Sequence, residues 1–387
     1  MAFINYVTQI QFDFGAIAQL ATECDRIGIA RPLIVTDAGV VAAGIVRQVQ
    51  QQLKDMPVTV FDQTPSNPTE AAVRAATAMY RTHHCDGLIA VGGGSSIDCA
   101  KGVAIAVSHE GPLKTYATIE GGSAKITANV APIIAVPTTS GTGSEVARGA
   151  ILIVDDGRKL GFHSWHLVPK SAICDPDLTL GLPAGLTAAT GMDAIAHCME
   201  TFMAAAFNPP ADGIALDGLT RGWSHIAEAT HHGDNRQARL NLMAASMQGA
   251  MAFQKGLGCV HSLSHSLGGI NPQLHHGTLN AVFLPAVLRF NAQAPNIRDE
   301  QRMQRMAHAM GVTLAPASTA ETAAAQLANA VQMRNHELGM PKGLAQMGIV
   351  ETDFALIIER ALRDHCHATN PIIASPADYH RMLEESM

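Results

Sequence analysis

The stretch from Gly256 to Pro285, GLGCVHSLSHSLGGINPQLHHGTLNAVFLP, sets His261, His265, His275 and His276 into an otherwise apolar, glycine-rich segment. His261 and His265 are four apart and share one face of a helix. A turn marked by Gly268, Gly269, Asn271 and Pro272 then leads to the His275–His276–Gly277 corner. Upstream, TGMDAIAHCME places Asp193 and His197 at the same spacing. One carboxylate and two or three imidazoles from separate helices suit a borderline divalent ion such as Fe(II) or Zn(II). Such an ion is a Lewis acid able to lower the pKa of an alcohol. Either pair alone reads more readily as a solvated or capping pair, less strongly for His261 and His265. Together, four polar side chains in apolar helices each need a partner, and one ion satisfies several at once. Chemistry alone leaves open which of the four later histidines bind, and leaves open a metal-free general-base histidine. Cys198 and Cys259 flank the set and read as packing residues, because a thiolate beside an oxidisable metal is a liability. His83–His84 and His231–His232 lie in polar surroundings and are expected at the surface.

A second kind of chemistry sits in VGGGSSIDCAKG (Val91–Gly102), where an apolar strand turns into a helix. Three glycines let backbone approach a ligand, and successive N–H groups at a helix start attract an anion such as a pyrophosphate. Neither the G-x-G-x-x-G fingerprint nor the Walker lysine pattern is present, so a plain tight turn is the rival reading. PTTSGTGSE (Pro137–Glu145) supplies hydroxyl and backbone donors at another strand end. Ligands of open α/β sheets bind at such ends. Asp37 closes a third strand, where it either caps a helix or accepts from a ribose hydroxyl. As a ribose ligand it repels a 2′-phosphate and favours NAD over NADP.

These side chains need a scaffold, and the first half of the chain spells one out. PLIVTD (Pro32–Asp37), VTVFD (Val58–Asp62), GLIAVGGG (Gly87–Gly94), PIIAVP (Pro132–Pro137), ILIVDD (Ile151–Asp156) and SAICDP (Ser171–Pro176) read as short strands. Helical patterns cover Val40 to about Leu53 and Glu70–Thr82. Strand and helix alternate as in a doubly wound parallel sheet. After LTLGLP (Leu178–Pro183) the chain becomes rich in Ala, Met and Leu with helical periodicity. Residues 1–180 are therefore expected to form an α/β domain and residues 181–387 an all-helical one.

The 387 residues are 47% hydrophobic but only 4% aromatic, so the core must be built from small and aliphatic side chains. A formal charge of −7 without a basic run argues against nucleic acid or an anionic membrane as partner. The seven cysteines are scattered and none forms a C-x-x-C pair, which reads as a reducing compartment. Met1–Gln11 lacks the cationic start and apolar core of a signal peptide, and no apolar run reaches membrane-spanning length. A cytoplasmic protein is the expectation.

The ordered segments PLIVTDAGV, TPSNPT, GGGSSIDCAKG, PTTSGTGSEV, DPDLTLGLP, ATGMDAIAHCMET, HSLSHSLGG and HHGTLNAVFLP resemble the iron-containing (group III) alcohol dehydrogenases over nearly the full length. The resemblance implies the dehydroquinate synthase-like fold, an N-terminal NAD(P)-binding α/β domain and a C-terminal helical domain, with a metal in the cleft between them. Carried over by position, it implies Asp193, His197, His261 and His276 as ligands of Fe(II), with Zn(II) as the alternative ion. It places His265 near the nicotinamide, where the histidine moves a proton without binding metal. Cofactor contacts are implied for Asp37, Asn67, Gly93, Gly94, Ser95, Asp98, Thr138, Thr139 and Lys159. One departure concerns the last ligand, which in typical members stands fourteen residues after the first histidine and in a His-Gly pair. Here the count falls on His275 and the pair on His276–Gly277. The glycine frame favours His276, with His275 as the alternative. A second departure is Gly149 where many members carry Asn, expected to enlarge the pocket beside the nicotinamide.

TYATIEGGSA, RKLGFHSWHLVPKSA and FNPPADGIALDGL are similar to the members acting on 4-hydroxybutyrate more than to the propanediol or lactaldehyde enzymes. The reaction so implied interconverts 4-hydroxybutyrate and succinate semialdehyde with NAD. Short-chain alcohols or diols without charge are the alternative substrates. A substrate carboxylate needs a cationic or donor-rich partner, and Arg148, His163 and His166 are the residues on offer near Gly149. Their rival roles are an ion pair for Arg148 and a turn cap for the histidines. A cyclising lyase like dehydroquinate synthase would need several basic residues to grip a phosphate, and the metal motifs here are poor in them. A structural metal protein without turnover is disfavoured by the intact cofactor loops. The family often forms homo-oligomers, so self-association is a further expectation.

Overall fold

The computed structural model describes residues 4, 6, 8–54 and 56–387. Six short strands form one parallel sheet: β1 (Gln9–Phe12), β2 (Pro32–Val35), β3 (Thr59–Phe61), β4 (Gly87–Gly92), β5 (Ile133–Pro137) and β8 (Ser171–Cys174). Their order is β1-β8-β5-β4-β2-β3, with every pairing parallel. Because side chains alternate along a strand, β2, β4 and β5 feed two cores at once. Leu33, Val35, Leu88, Ala90, Ile133 and Ala135 enter one. Ile34, Ile89, Val91, Ile134 and Val136 enter the other. Burial on both faces is why these strands read as unbroken apolar runs.

Two strands leave the sheet. β6 (Gly149–Ile153) and β7 (Lys159–His163) pair antiparallel as a separate hairpin, so ILIVDD does not extend the parallel sheet. The helix expected from Val40 to Leu53 is two, Ala38–Ala42 and Ile45–Leu53, divided at Gly44 with φ +76°. Glu70–Thr82 is helical throughout, with the Thr69 hydroxyl accepting from Ala72 N–H at 3.2 Å.

The chain separates into two compact units. One comprises Tyr6–Thr139 and Gly143–Leu182, and the other contains Pro183–Met387 with Ser140–Thr142. The second unit is helical among its described residues, with long helices Ala184–Met203, Pro209–His231, Arg236–Ala252, Cys259–Ile270, His276–Asn291 and Ala320–Glu337. Glycines let its first three helices close up. An added Cβ at Gly191 would lie 2.8 Å from the Ile226 side chain, and one at Gly218 would lie 2.9 Å from Cys198 Sγ. All seven cysteines are free and buried. Among the described residues no helix is long and apolar enough to cross a membrane.

In the α/β unit a buried ammonium organises the turn before the hairpin. Lys101, on the helix Gly94–Ala106, sets its three-donor ammonium 2.7–2.8 Å from four oxygens, the Ser144, Ala147 and Gly149 carbonyls and the Ser144 hydroxyl. Burial lowers this ammonium to about 8, while Asp98 and Glu145 oppose the shift. Burial also pushes the Glu145 carboxyl from its ordinary 4.5 up to about 7. Between those values the unfolded chain releases the proton that the folded chain keeps, so stability falls as pH rises through the window. Glu145→Gln cannot ionise. Urea unfolding at about pH 5 and about pH 8 is expected to show the variant losing about 2–3 kcal/mol less than wild type between the two.

Candidate metal centre and cofactor loops

The helix Ala184–Met203 carries Asp193 and His197 one turn apart, both buried in the apolar core. The helix Cys259–Ile270 brings in His261, also buried, and the start of His276–Asn291 brings in His276, which is partly exposed. Three ring nitrogens converge on one carboxylate oxygen. His261 Nε2 lies 3.6 Å from Asp193 Oδ1, and His197 Nε2 and His276 Nε2 each lie 3.7 Å away. Donors around one four-coordinate ion at about 2.1–2.2 Å stand about 3.5 Å apart, so this set fits a single divalent ion. Asp193, His197 and His261 by themselves meet the spacing of a metal group.

The polar balance at the focus points the same way. The Asn280 amide nitrogen lies 2.7 Å from Asp193 Oδ1, 3.3 Å from His261 Nε2 and 3.2 Å from His276 Nε2. When both imidazole Nε2 atoms are unprotonated, as metal ligation requires, its two hydrogens cannot serve three acceptors, and the focus then holds more lone pairs than the protein's own donors there match. Burial pushes the Asp193 carboxyl up, yet His197, His261 and His276 hold it far below the usual carboxylate range. Burial pushes His197 down to about 4 against the pull of Asp193. It pushes His261 down as well, but Glu200 and Asp193 carry that imidazole up to about 9.

The structure separates the two adjacent histidines. His275 is the exposed residue preceding the helix, whereas His276 turns toward Asp193. Gly277 explains why. A Cβ there would lie 2.1 Å from the Ala189 carbonyl oxygen and 3.2 Å from Asp193 Cβ. Only glycine lets this helix start press onto the first ligand helix.

His265 stands beside the set. Its ring stacks on His276 at 5.2 Å between centroids, and its Nδ1 lies 3.0 Å from Asp364 Oδ2. Burial raises Asp364, but His265 and His365 hold it well below the ordinary carboxylate range. Sequence reasoning missed Asp364, which is 99 positions from His265. It also passed over Glu200 and Asn280, although each falls on the ligand face of its helix, seven residues after Asp193 and four after His276.

In the α/β unit, β4 ends at Gly92, whose φ of +149° suits glycine. The following helix opens at Gly93 without a side-chain cap, leaving its N–H groups for an anion. Gly94 is its first residue, and Ser95 donates to the Ser66 carbonyl. Thr138 N–H donates to the Gly92 carbonyl at 3.0 Å, and Thr139 lies 3.2 Å from where a Gly93 Cβ would stand. The glycine and hydroxyl loops are thus neighbours. Asp37 takes both roles open to it in part: Oδ1 accepts from Val40 N–H at 3.0 Å, capping a helix, while Oδ2 accepts from the Ser96 hydroxyl at 3.2 Å beside the glycine loop. Lys159 Nζ donates to Asn67 Oδ1 at 2.9 Å. Asp98 turns inward, accepting from the Ser144 hydroxyl at 2.6 Å and Ile151 N–H at 2.9 Å.

The residues expected to hold a substrate carboxylate lie around the hairpin. Arg148 is half-buried with its guanidinium 4.9 Å from the Trp165 ring centroid, and among the described residues no carboxylate pairs with it. Gly149 does not open empty space, because the His163 ring lies 2.9 Å from where its Cβ would stand. His163 Nδ1 is 2.8 Å from the Thr118 hydroxyl. His166 is exposed in a short turn whose cap is Ser164.

Family models describe the same two halves. One for iron-containing alcohol dehydrogenase matches residues 7–176, and one for the C-terminal part of the Fe-containing alcohol dehydrogenase family matches residues 187–387. The chain is 66% identical to 4-hydroxybutyrate dehydrogenase of Cupriavidus necator, covering 100% of both chains. It is 37% identical to 1,3-propanediol dehydrogenase of Klebsiella pneumoniae over 93% of this chain and 92% of the other. Among solved structures, a 1,3-propanediol oxidoreductase superposes with TM-score 0.92 at 34% identity, covering 100% of each chain.

Metal analysis of purified variants separates the two histidines. Loss of the His276 donor or displacement of its helix start is expected to lower bound metal by at least about tenfold at equal free ion. His276→Ala and Gly277→Ala should both show that loss, while His275→Ala should retain wild-type content.

Proposed function

This chain belongs to the iron-containing alcohol dehydrogenases, and on that premise we propose that it interconverts 4-hydroxybutyrate and succinate semialdehyde with NAD. The observation that carries the substrate reading is Arg148, a half-buried cation stacked on Trp165 with no carboxylate partner among the described residues. Burial lowers its pKa, which marks a charge held partly out of water. A substrate carboxylate supplies the missing counter-charge through a paired hydrogen-bonded contact. His163, held by Thr118, adds a nearby donor. The 66% identical relative bears the name of this activity. Uncharged short-chain alcohols and diols are the second reading, favoured by the propanediol relatives.

In this reading Asp193, His197, His261 and His276 hold Fe(II), or Zn(II) with the same donors. When bound, the ion would supply Lewis acidity toward the alcohol or carbonyl oxygen, and a nicotinamide would supply the hydride donor or acceptor. The protein's own part is placement and proton movement. His265, with Nδ1 tied to Asp364, keeps Nε2 available to take the alcohol proton or return it. The bare N–H groups after Gly93 receive the pyrophosphate, with Ser95, Thr138 and Thr139 around them and Lys159 and Asn67 alongside. Asp37 accepts from the adenosine ribose and repels a 2′-phosphate. Asp98 acts on the cofactor loops through Ser144 and not by touching the ligand.

Two measurements test this. Anaerobic NADH oxidation by the Fe(II)-loaded protein is expected to favour succinate semialdehyde over butyraldehyde by about tenfold or more in kcat/KM, with the preference erased in Arg148→Gln. Equal rates in wild type would transfer the assignment to the uncharged substrates. Asp37→Ser is expected to raise kcat/KM for NADPH relative to NADH by about tenfold, since the repelled phosphate loses its opposing charge.

A further inference from the structure

Beside the metal set stands a buried carboxylate that the reaction chemistry does not use. Glu200 is fully buried on the helix Ala184–Met203, seven residues after Asp193 and three after His197, so it lies on the same face as both. Its two oxygens serve the start of the helix that carries His261. Oε1 accepts from Val260 N–H at 2.8 Å, and Oε2 accepts from His261 Nδ1. That helix start has no cap of its own, because its N-cap residue is Gly258. A side chain at that position is excluded: its Cβ would stand 2.3 Å from Asn370 Oδ1 and 3.0 Å from Glu200 Oε1. The orphan N–H groups are satisfied from elsewhere, Cys259 by Asn370 Oδ1 at 3.1 Å and Val260 by Glu200.

We propose that Glu200 is a positioning residue that makes His261 a metal donor and matches the charge of the site to a divalent ion. The inference rests on the reading of Asp193, His197, His261 and His276 as a metal site. Two consequences follow from the geometry. Accepting a hydrogen bond from Nδ1–H favours the tautomer that leaves a lone pair on Nε2, the atom 3.6 Å from Asp193 Oδ1. Metal ligation requires neutral imidazoles, and with them two carboxylates leave a charge of about −2, which one divalent cation cancels. Glutamine has the same shape but reverses the pattern. Its amide can accept from only one of the two donors, and an NH2 facing Nδ1 moves the ring proton to Nε2, into the metal position.

The test compares wild type, Glu200→Gln, Glu200→Asp and Asn370→Ala by metal content and by zinc competition against a chromogenic chelator. NADH binding, followed by fluorescence, serves as a check on folding. Glu200→Gln is expected to weaken zinc binding about 10–100-fold. Glu200→Asp restores the charge and recovers part of the loss. Asn370→Ala removes the neighbouring helix cap and is expected to lower the unfolding temperature while zinc affinity stays near wild type. A folded Glu200→Gln protein with wild-type affinity overturns the proposal. So does an equal loss of affinity in Asn370→Ala, because helix capping alone then accounts for it. If Glu200→Gln does not fold, wild-type zinc protein labelled with 15N-histidine decides. A downfield proton on the Nδ1 of His261 supports the proposal, and a His261 ring without an Nδ1 proton overturns it. A wild type that takes up no divalent ion overturns the metal site itself and this inference with it.

Discussion

A carboxylate inside an apolar helical core is the constraint on which the helical unit depends. Asp193 sits among Met192, Ala194, Ile195 and Ala196, all fully buried. Leaving such a charge unpaired costs several kcal/mol, so the surrounding chain must deliver opposite charge or donors to that point. Its own helix supplies His197, the helix Cys259–Ile270 supplies His261, and the corner before Asn280 supplies His276. The donors arrive from three helices, the first well separated in sequence from the other two, and the second and third are anchored at their starts, beside the donors they carry. Glu200 and Asn370 hold the start of the second helix, and the contact of Gly277 with Ala189 holds the start of the third.

The α/β unit meets a related demand with a cation of its own. Four oxygens of the segment Ser144–Gly149 surround the Lys101 ammonium, and Asp98 balances it through Ser144. That segment leads from the hydroxyl loop into the hairpin that carries Arg148, Gly149 and Lys159. A lysine that leaves the glycine-loop helix to reach three carbonyls ties that helix to the turn before the hairpin. An ammonium suits this task because it offers three donors from a position fixed by the helix. An exchangeable ion suits Asp193, where an open position is needed for a reacting oxygen.

Much of this was legible in the sequence because the signals are periodic or local. Apolar runs ending in Asp37, in Gly92–Gly94 and in Thr138–Thr139 marked the strand ends, and the i, i+4 pairs marked the ligand helices. What escaped has physical reasons. β1 (QIQF) is an edge strand with partly exposed side chains, so it lacks the apolar run of its neighbours. The hairpin partner β7 alternates buried and half-buried residues around Lys159 and His163 and reads as loop. Gly44 interrupts a helical pattern only through its backbone angle. Asp364 and Asn370 act across more than 90 positions, a separation at which no spacing rule operates. Glu200 was within reach, since it lies on the face already defined by Asp193 and His197. It was overlooked because a carboxylate that binds a histidine, and not the metal, carries no motif of its own. At Gly149 the sequence suggested a wider pocket, but the room released by the missing side chain belongs to the His163 ring.

The scarcity of aromatic residues fits the same geometry. Donor atoms from separate helices can stand about 3.6 Å apart only if the helix backbones run close, and bulky side chains would hold them apart. Gly249 lies against His197 Cβ at 3.0 Å, Gly222 against Ile195 at 3.1 Å, and Gly191 against Ile226 at 2.8 Å, all measured from the Cβ each lacks. Every one of these glycines costs helix propensity of about 1 kcal/mol relative to alanine. Gly191 on the first ligand helix, and Gly222 and Gly249 on the two helices that pack against it, let the three backbones approach closely around Asp193 and His197. Alanine and methionine then fill what remains, because they pack between near helices without forcing them apart. The composition of the second half of the chain is thus a consequence of the metal centre as much as of the fold.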